Sequence, residues 1–392
     1  MKKRIIRYFK HIFITLLIGV PLFIIIGFLT GNTMKYGKND LTDNWNHEGP
    51  YIFYEDDSLL SVNYIKGDRK NGFELETIRS HKDSLIGLSF FYPLDSTKIP
   101  FELNTTIKIP PSTYSDSQKI LAISDIESNY KTFRDFLINN GVIDQKLMWT
   151  FGKNHLVLVG DFIDRSYFTT QVLWFIYKLE QVARLKGGTV HYILGNHEIM
   201  NMQGDHRYAK TKYNYIASIL NKKQFELYDK SSFLGRWLES KNTLELVNGN
   251  LFVHGGLSPE IKNVDLDIDG CNQFIRNLYY RPYFSKKEQE KNSEILTSFK
   301  TSPYWYRGYF RGHLSQEDIE IGLRKFGAKA VIVGHTIQSK VNKSYDGKVI
   351  GIDVKHPSDY YEYFPKRESE GLLIEDGKYY RVFADGKTKE LK

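Results

Sequence analysis

The chain has 392 residues but a single cysteine, Cys271, and no acidic residue before Asp40. A lone cysteine cannot close an internal disulfide or supply a cysteine-based zinc site, so any metal must be held by oxygen and imidazole. Alanine is equally scarce at the start: the first is Ala122. A signal peptide needs a small-residue cleavage site after its apolar run, and none is in place here. The aromatic residues are the opposite case, with 27 Tyr and 25 Phe, far too many for a disordered chain.

The formal charge of +8 is unevenly placed. Lys2, Lys3, Arg4, Arg7 and Lys10 open the chain, and without them 49 basic residues face 46 acidic ones. The body is almost neutral and carries no basic stripe, so nucleic acid is not an expected partner. Behind the basic start, residues 12–30 (IFITLLIGVPLFIIIGFLT) run without a charge. Nineteen residues at helical rise match the hydrocarbon core of a bilayer, and Pro21 is tolerable there. A cleaved signal peptide shares the basic-then-apolar pattern, but the run is long and lacks the cleavage site. We expect a single-pass anchor with residues 1–11 in the cytoplasm, because the basic residues precede the span. Lys35 and Lys38 beyond it are balanced by Asp40 and Asp43. The body is therefore expected outside the cytoplasm, in the periplasm if the cell is Gram-negative.

The length allows two or three folding units. Residues 31–46 read as a polar tether, and 47–112 as a small β-rich unit of short strands broken by Gly, Asp, Asn and Pro. Pro110 and Pro111, with Ser112, Ser115 and Ser117, mark a boundary. From 118 to 392 the pattern becomes apolar strand, turn, helix, which predicts a layered α/β domain.

Five strand ends in that domain carry polar clusters: SDIESN, GDFIDRS, GNHE, HGGLSP and GHT. Ligands meet α/β layers at such ends. Their Asp, Glu, Asn and His, without Cys, suit hard or borderline divalent ions. The carboxylates are too many for one cation, and two cations would offset their repulsion. Such a pair polarises a phosphoryl oxygen and yields a hydroxide nucleophile near neutral pH.

GDFIDR, GNHE, HGGLSP and GHT, in that order, resemble the calcineurin-like metallophosphoesterase superfamily and its phosphoprotein phosphatase branch over roughly 118–356. GNHEIMNMQGD, LGRWLESK and SPYWYRGY further resemble the bacterial Shewanella-like group. The resemblance implies two packed β-sheets flanked by helices. It places Asp125, Glu127 and Asp161 on one metal, and Asp161, Asn196, His254 and His335 on the other. His197 becomes the general acid oriented by Asp164, while Arg165 binds phosphate, with Arg307 as a second phosphate arginine. Asp125-Ile126-Glu127 departs from the family's Asp-x-His, and Ser128-Asn129 replaces His-Gly. The added carboxylate predicts a shift toward Mn²⁺ or Mg²⁺ and away from a redox iron, so the expected cofactors are two divalent ions, Mn²⁺ first, with Mg²⁺, Zn²⁺ and iron as the alternatives.

The expected function is thus a membrane-anchored phosphoesterase acting on phosphoproteins (Ser/Thr or Tyr) or small phosphomonoesters. Two alternatives are a dinucleoside polyphosphate hydrolase and a catalytically silent envelope binding protein. Among the remaining residues, His155 and His191 read as structural or surface groups. His206 and Arg207 read as rim or solvated residues, and His356 as turn packing within reach of the site. Arg236 reads as an ion-pair partner or a snorkelling group, and Cys271 as incidental. The stretch 277–294 combines an aromatic half, which could line substrate entry, with a charged helix face.

Overall fold

The computed structural model describes residues 2–29, 33–38, 45–282 and 291–392. Part of the expected tether and much of the charge-rich stretch after 282 lie outside them. Two six-stranded sheets form the body. The first runs Thr189–Ile193, His155–Val159, Ile120–Ile123, Glu370–Glu375, Lys378–Phe383, Thr388–Glu390. Its first three strands are parallel, and the C-terminal three close it antiparallel. The second runs Asn342–Ser344, Val349–Gly351, Ala330–Val333, Asn250–Val253, Leu244–Val247, Thr113–Tyr114.

Strand alternation explains the layering, because successive side chains leave opposite faces. Ile120, Ala122, Val157 and Val159 point one way and meet Phe252, Ile332 and Ile350 of the second sheet. Leu121, Ile123, Leu156 and Leu158 point the other way and join the helix side of the core. On the second sheet, Leu251, Val253, Val331 and Val333 share that larger cluster with Ile275, Ile319 and Leu323 of the helices Ile268–Arg276 and Gln316–Lys325. Strands buried on both faces need unbroken apolar runs, and these strands have them.

Helix Thr169–Arg184 lies on the first sheet and is buried almost all round. Residues 48–103 cover its outer side with a three-stranded meander (Glu48–Tyr54, Leu59–Asp68, Gly72–His81) and a hairpin (Ile86–Tyr92, Thr97–Leu103). Phe101 stacks on Trp174 at 4.8 Å, and the Trp174 indole donates to Pro50 O at 2.9 Å. Both pieces therefore share one core with the helix.

A buried charge pair ties them. Lys212 Nζ donates to Glu48 at 2.8 Å, and Gln171 and Tyr51 donate to the same carboxylate at 3.0 and 2.9 Å. Burial works against that carboxylate, yet Lys212 holds it below its ordinary range. Replacing Lys212 with methionine leaves a buried acid unpaired and should cost about 3–5 kcal/mol at neutral pH. The sign reverses with acid. In the wild type, a depressed folded pKa gives stability that is present above the unfolded value and lost as pH falls. In the variant, burial alone raises the Glu48 pKa, so acidification removes the unpaired charge. The gap between the two urea midpoints should therefore narrow toward about pH 4; a gap that widens contradicts the pairing.

At the amino end, Lys2–Leu29 is one helix, with Pro21 inside it and no residue buried. It is long and apolar enough to cross a membrane. The following strand Met34–Tyr36 pairs antiparallel with Glu362–Phe364.

Candidate active site

Each polar cluster sits where a strand ends and the chain turns sharply. Asp125, Glu127, Ser128, Asp161, Asp164, Arg165 and His335 all have φ between 50° and 68°. Non-glycine residues pay for the left-handed region, and such concentrations occur where function demands the geometry. Gly160, between strand and Asp161, has φ 76°. A Cβ there would come within 2.5 Å of His254 Nδ1 and 2.7 Å of Gly195. Only glycine lets the strand ends approach this closely.

Asp161 is the hub. Its Oδ1 accepts from the His197 backbone N–H at 3.0 Å, and its Oδ2 lies 3.1 Å from His254 Nε2. Asp161, His254 and His335 bring ligand atoms within 4.8 Å of one another, all buried. The imidazoles are already oriented for a cation. His254 Nδ1–H donates to Val159 O at 2.7 Å, which turns Nε2 inward, and His335 Nε2–H donates to Trp305 O at 3.0 Å, which turns Nδ1 inward. Those inward nitrogens face each other at 3.1 Å, a contact that needs a proton or a metal ion between the two lone pairs. Asn196 Oδ1 is buried nearby without a protein donor. Two nitrogens, a carboxylate and an orphaned carbonyl fit a divalent ion.

Without a cation, a proton fills the same position: burial works against a charged His254, yet the Asp161 charge pushes its pKa up to about 9, so Nε2 holds a proton toward Asp161 that a divalent ion would displace; Asp161 itself is held far below the carboxylate range by His254 and His197 against burial. Burial, His254 and Arg307 push His335 well down, so it stays neutral and able to ligate. Burial pushes the Asp125 carboxyl up to about 7, with Asp161 adding to it. Anions crowded this way ionise together only beside positive charge.

His197 Nδ1 lies 2.8 Å from Asp164 Oδ2, which also accepts from Asn201 Nδ2 at 3.0 Å. The other ring nitrogen is 3.2 Å from Arg165 Nη2 and 3.7 Å from Asp161 Oδ2. Burial opposes protonation, but Asp161 and Asp164 push the His197 pKa up to about 8. Glu127 pairs with Arg165 through a short hydrogen bond and does not join the Asp161 cluster. Asp125 Oδ2 accepts the His335 backbone N–H at 3.1 Å. Arg307 donates to His335 O.

Two carboxylates carry functions that motif reading did not assign. Glu198 is fully buried and accepts from the N–H groups of Asp161, Phe162 and Gly195 at 2.8–3.0 Å and from Tyr192 OH at 2.9 Å. It builds the turn that presents Asp161; its place in GNHE was the available signal. Glu198→Gln puts an NH₂ against those donors and should cost about 2–4 kcal/mol with lowered metal retention, read by unfolding and metal analysis. Asp353, after strand Val349–Gly351, is buried, and burial followed by the Asp125, Glu127 and Asp161 charges raises its pKa strongly. Nothing in the spacing of VIGIDVKH marks it.

The other expected residues separate clearly. His155 and His191 are buried in a chain from Asp116 to Glu245, joined to each other at 2.8 Å. Arg207 pairs with Asp205 at 2.8 Å, and Arg236 lies over the Tyr54 ring at 3.5 Å. Cys271 is buried, its thiol pushed up to about 11 by burial. In the stretch 277–282, Tyr279 is fully buried and Tyr280 donates to Gly235 O at 2.9 Å. These rings pack the interior and do not line an entry, because their hydroxyls are already used by backbone acceptors.

Two packed sheets with Asp, Asn and His ligands at their strand ends define a metal-dependent hydrolase of phosphate esters. The sequence profile of the calcineurin-like phosphoesterases matches residues 118–339, and the chain belongs to that family. It is a phosphoesterase and groups with the Shewanella-like phosphatases. It is 24% identical over 355 residues to Shewanella-like protein phosphatase 2 of Arabidopsis thaliana, covering 76% of this chain and 89% of that protein. With Shewanella-like protein phosphatase 1 of Plasmodium berghei it shares 28% over 239 residues, 56% of this chain and 61% of the other. The structure of a cold-active protein-tyrosine phosphatase from a psychrophilic Shewanella species superposes with a TM-score of 0.75 at 30% identity, covering 88% of this chain and 99% of that one.

Proposed function

We propose that the chain is a membrane-anchored protein phosphatase that hydrolyses phosphomonoesters of tyrosine or of serine and threonine. The observation that carries this reading is the juxtaposition of His197, held by Asp164 and beside Arg165, with the Asp161–His254–His335 cluster. The similarity to protein phosphatases of Arabidopsis, Plasmodium and Shewanella supports a protein substrate. The helix Lys2–Leu29 supports the anchor, and the basic residues before it support a cytoplasmic amino end. In this reading the catalytic domain is 118–392, with 47–112 as its β-rich cover.

Two divalent ions, with Mn²⁺ favoured by the oxygen-rich donors, would be held by Asp125, Glu127 and Asp161, and by Asp161, Asn196, His254 and His335. When bound, they supply positive charge for the phosphoryl oxygens and lower the pKa of water at the site. The chain's own groups do the rest. Arg165, beside His197, and Arg307, beside His335, grip phosphate oxygens bidentately. Glu127 competes for Arg165, so its release to the first metal position frees the guanidinium for substrate. Asp164 fixes the His197 tautomer through Nδ1 and leaves the second nitrogen to hand a proton to the departing oxygen.

Turnover of 4-nitrophenyl phosphate by the full chain in detergent should vanish on chelation and return with Mn²⁺. A rate that survives exhaustive chelation overturns the metal mechanism. Tyrosine- and serine-phosphorylated peptides should be preferred to diadenosine tetraphosphate; the reverse preference overturns the protein substrate.

A further inference from the structure

A cleft of about 100 Å³ opens beside Glu127 and Arg165, and none of Asp161, His254 and His335 lines it. Its far walls come from distant parts of the chain: the loop around His356, Tyr167 and Lys210 before helix Thr211–Ile219, and Lys35 from the strand that follows the N-terminal helix. Lys35 is brought there by pairing of Met34–Tyr36 with Glu362–Phe364. Arg367 anchors that pairing, donating to Thr33 Oγ1 at 2.8 Å.

The cleft is strongly cationic. Lys35, Lys210 and Arg367 line it, whereas Glu127 is its one carboxylate among the described residues and is tied to Arg165. Each cation rests on a tyrosine rather than an acid: Lys35 lies 3.5 Å from the Tyr361 ring centre, Arg367 lies 3.6 Å from Tyr363, and Lys210 lies 5.1 Å from Tyr167. Cation–π contacts hold a charge in place without neutralising it. Burial depresses the Lys210 pKa, Tyr361 opposes the shift, and the like charge of Lys35 adds a smaller push in the same direction as burial.

Three buried polar atoms in the same walls lack a partner, the donor Arg367 Nε among them. Ser166 Oγ has none. His356 is 7% exposed; its Nε2–H donates to Ser124 O at 3.0 Å, and Nδ1 is left as an unused acceptor. Buried polar atoms are rarely left unpaired, and those that are mark a place for a ligand. Resting on the phosphatase reading above, we propose that this cleft is an anion subsite contiguous with the catalytic centre, and that it takes an acidic side chain flanking the phosphorylated residue of a peptide. The acceptor His356 Nδ1 calls for a donor, which the backbone N–H of a bound peptide provides beside its acidic side chain. Because Lys35 lies just past the membrane-type helix, the subsite is completed by the segment that would anchor the enzyme.

The test uses the full chain in detergent and two non-hydrolysable phosphonate peptides, one with aspartates flanking the phosphoresidue and one with asparagines. Fluorescence anisotropy should show the aspartate peptide binding about ten-fold more tightly. That ratio should fall toward one in Lys35→Ala/Lys210→Ala and in about 1 M salt. Loss of structure would weaken both peptides and leave the ratio unchanged, so an unchanged ratio overturns the subsite. Equal binding by the wild type also overturns it, as does displacement by short-chain phosphatidylglycerol at lower concentration than by the aspartate peptide. Failure of the phosphatase reading looks different: no turnover of any phosphate ester, with the aspartate preference intact.

Discussion

Asp161→Asn should lower turnover of any phosphomonoester by on the order of 10³-fold. It should also release about one bound metal ion per chain or more. The reason is that one side chain serves both halves of the site. Its Oδ2 faces His254 Nε2 at 3.1 Å, inside the cluster with His335, while the turn carrying it lies against Asp125 and Glu127 through Asp125 N–Gly160 O and Glu127 N–Asp161 O hydrogen bonds of 3.0 Å. Asparagine keeps the shape but removes the charge and aims an NH₂ where cations and imidazole must meet. The backbone contacts to Glu198 remain, so the fold should persist. Metal analysis after gel filtration and steady-state kinetics check both halves. Full metal content with unaltered kcat would remove Asp161 from the centre.

His197→Ala should cost about 10²–10⁴-fold on a phosphoserine peptide, and much less on 4-nitrophenyl phosphate. An alkoxide is a poor leaving group without a proton, whereas nitrophenolate departs unaided. The difference between substrates is therefore the informative quantity. Asp164→Asn should act in the same direction but more weakly, because Asp164 only holds Nδ1 at 2.8 Å. A series of aryl phosphates should give a steeper dependence on leaving-group pKa in the histidine variant than in the wild type. Parallel lines would show that His197 binds phosphate and donates no proton.

Much of this site could be read from the chain because its parts are local. Gly160-Asp161 and Asn196-His197-Glu198 each follow an apolar strand, so their polar groups had to emerge at a strand end. Asp161 and Asp164 lie on one turn, and the left-handed φ at both residues points their carboxylates at different partners. Asp353 and the part played by Glu198 were not legible. A carboxylate two residues past a buried strand looks the same whether it turns toward solvent or toward Asp125, and only the packed sheets decide.

Glu127 shows the limit in another way. The family resemblance implies a metal-ligand role for it, and in the structure Arg165, brought in from the next strand end, holds its carboxylate. Similarly, the alternation in 47–112 announced strands and said nothing of their docking on Thr169–Arg184, which depends on Phe101, Trp174 and the Glu48–Lys212 pair meeting in three dimensions.

By itself the sequence determined the strands, the sharp polar turns, the metal-binding chemistry without cysteine, and the apolar helix behind five basic residues. Those are set by neighbours in the chain, through side-chain alternation, rise per residue and the backbone preferences of glycine. The tertiary structure alone decided which acids face each other, which imidazole nitrogens turn inward, and that Lys35 shares a cleft with Arg165 and His356. Such meetings join residues up to hundreds of positions apart, and their register is fixed only when two sheets and their helices pack without voids.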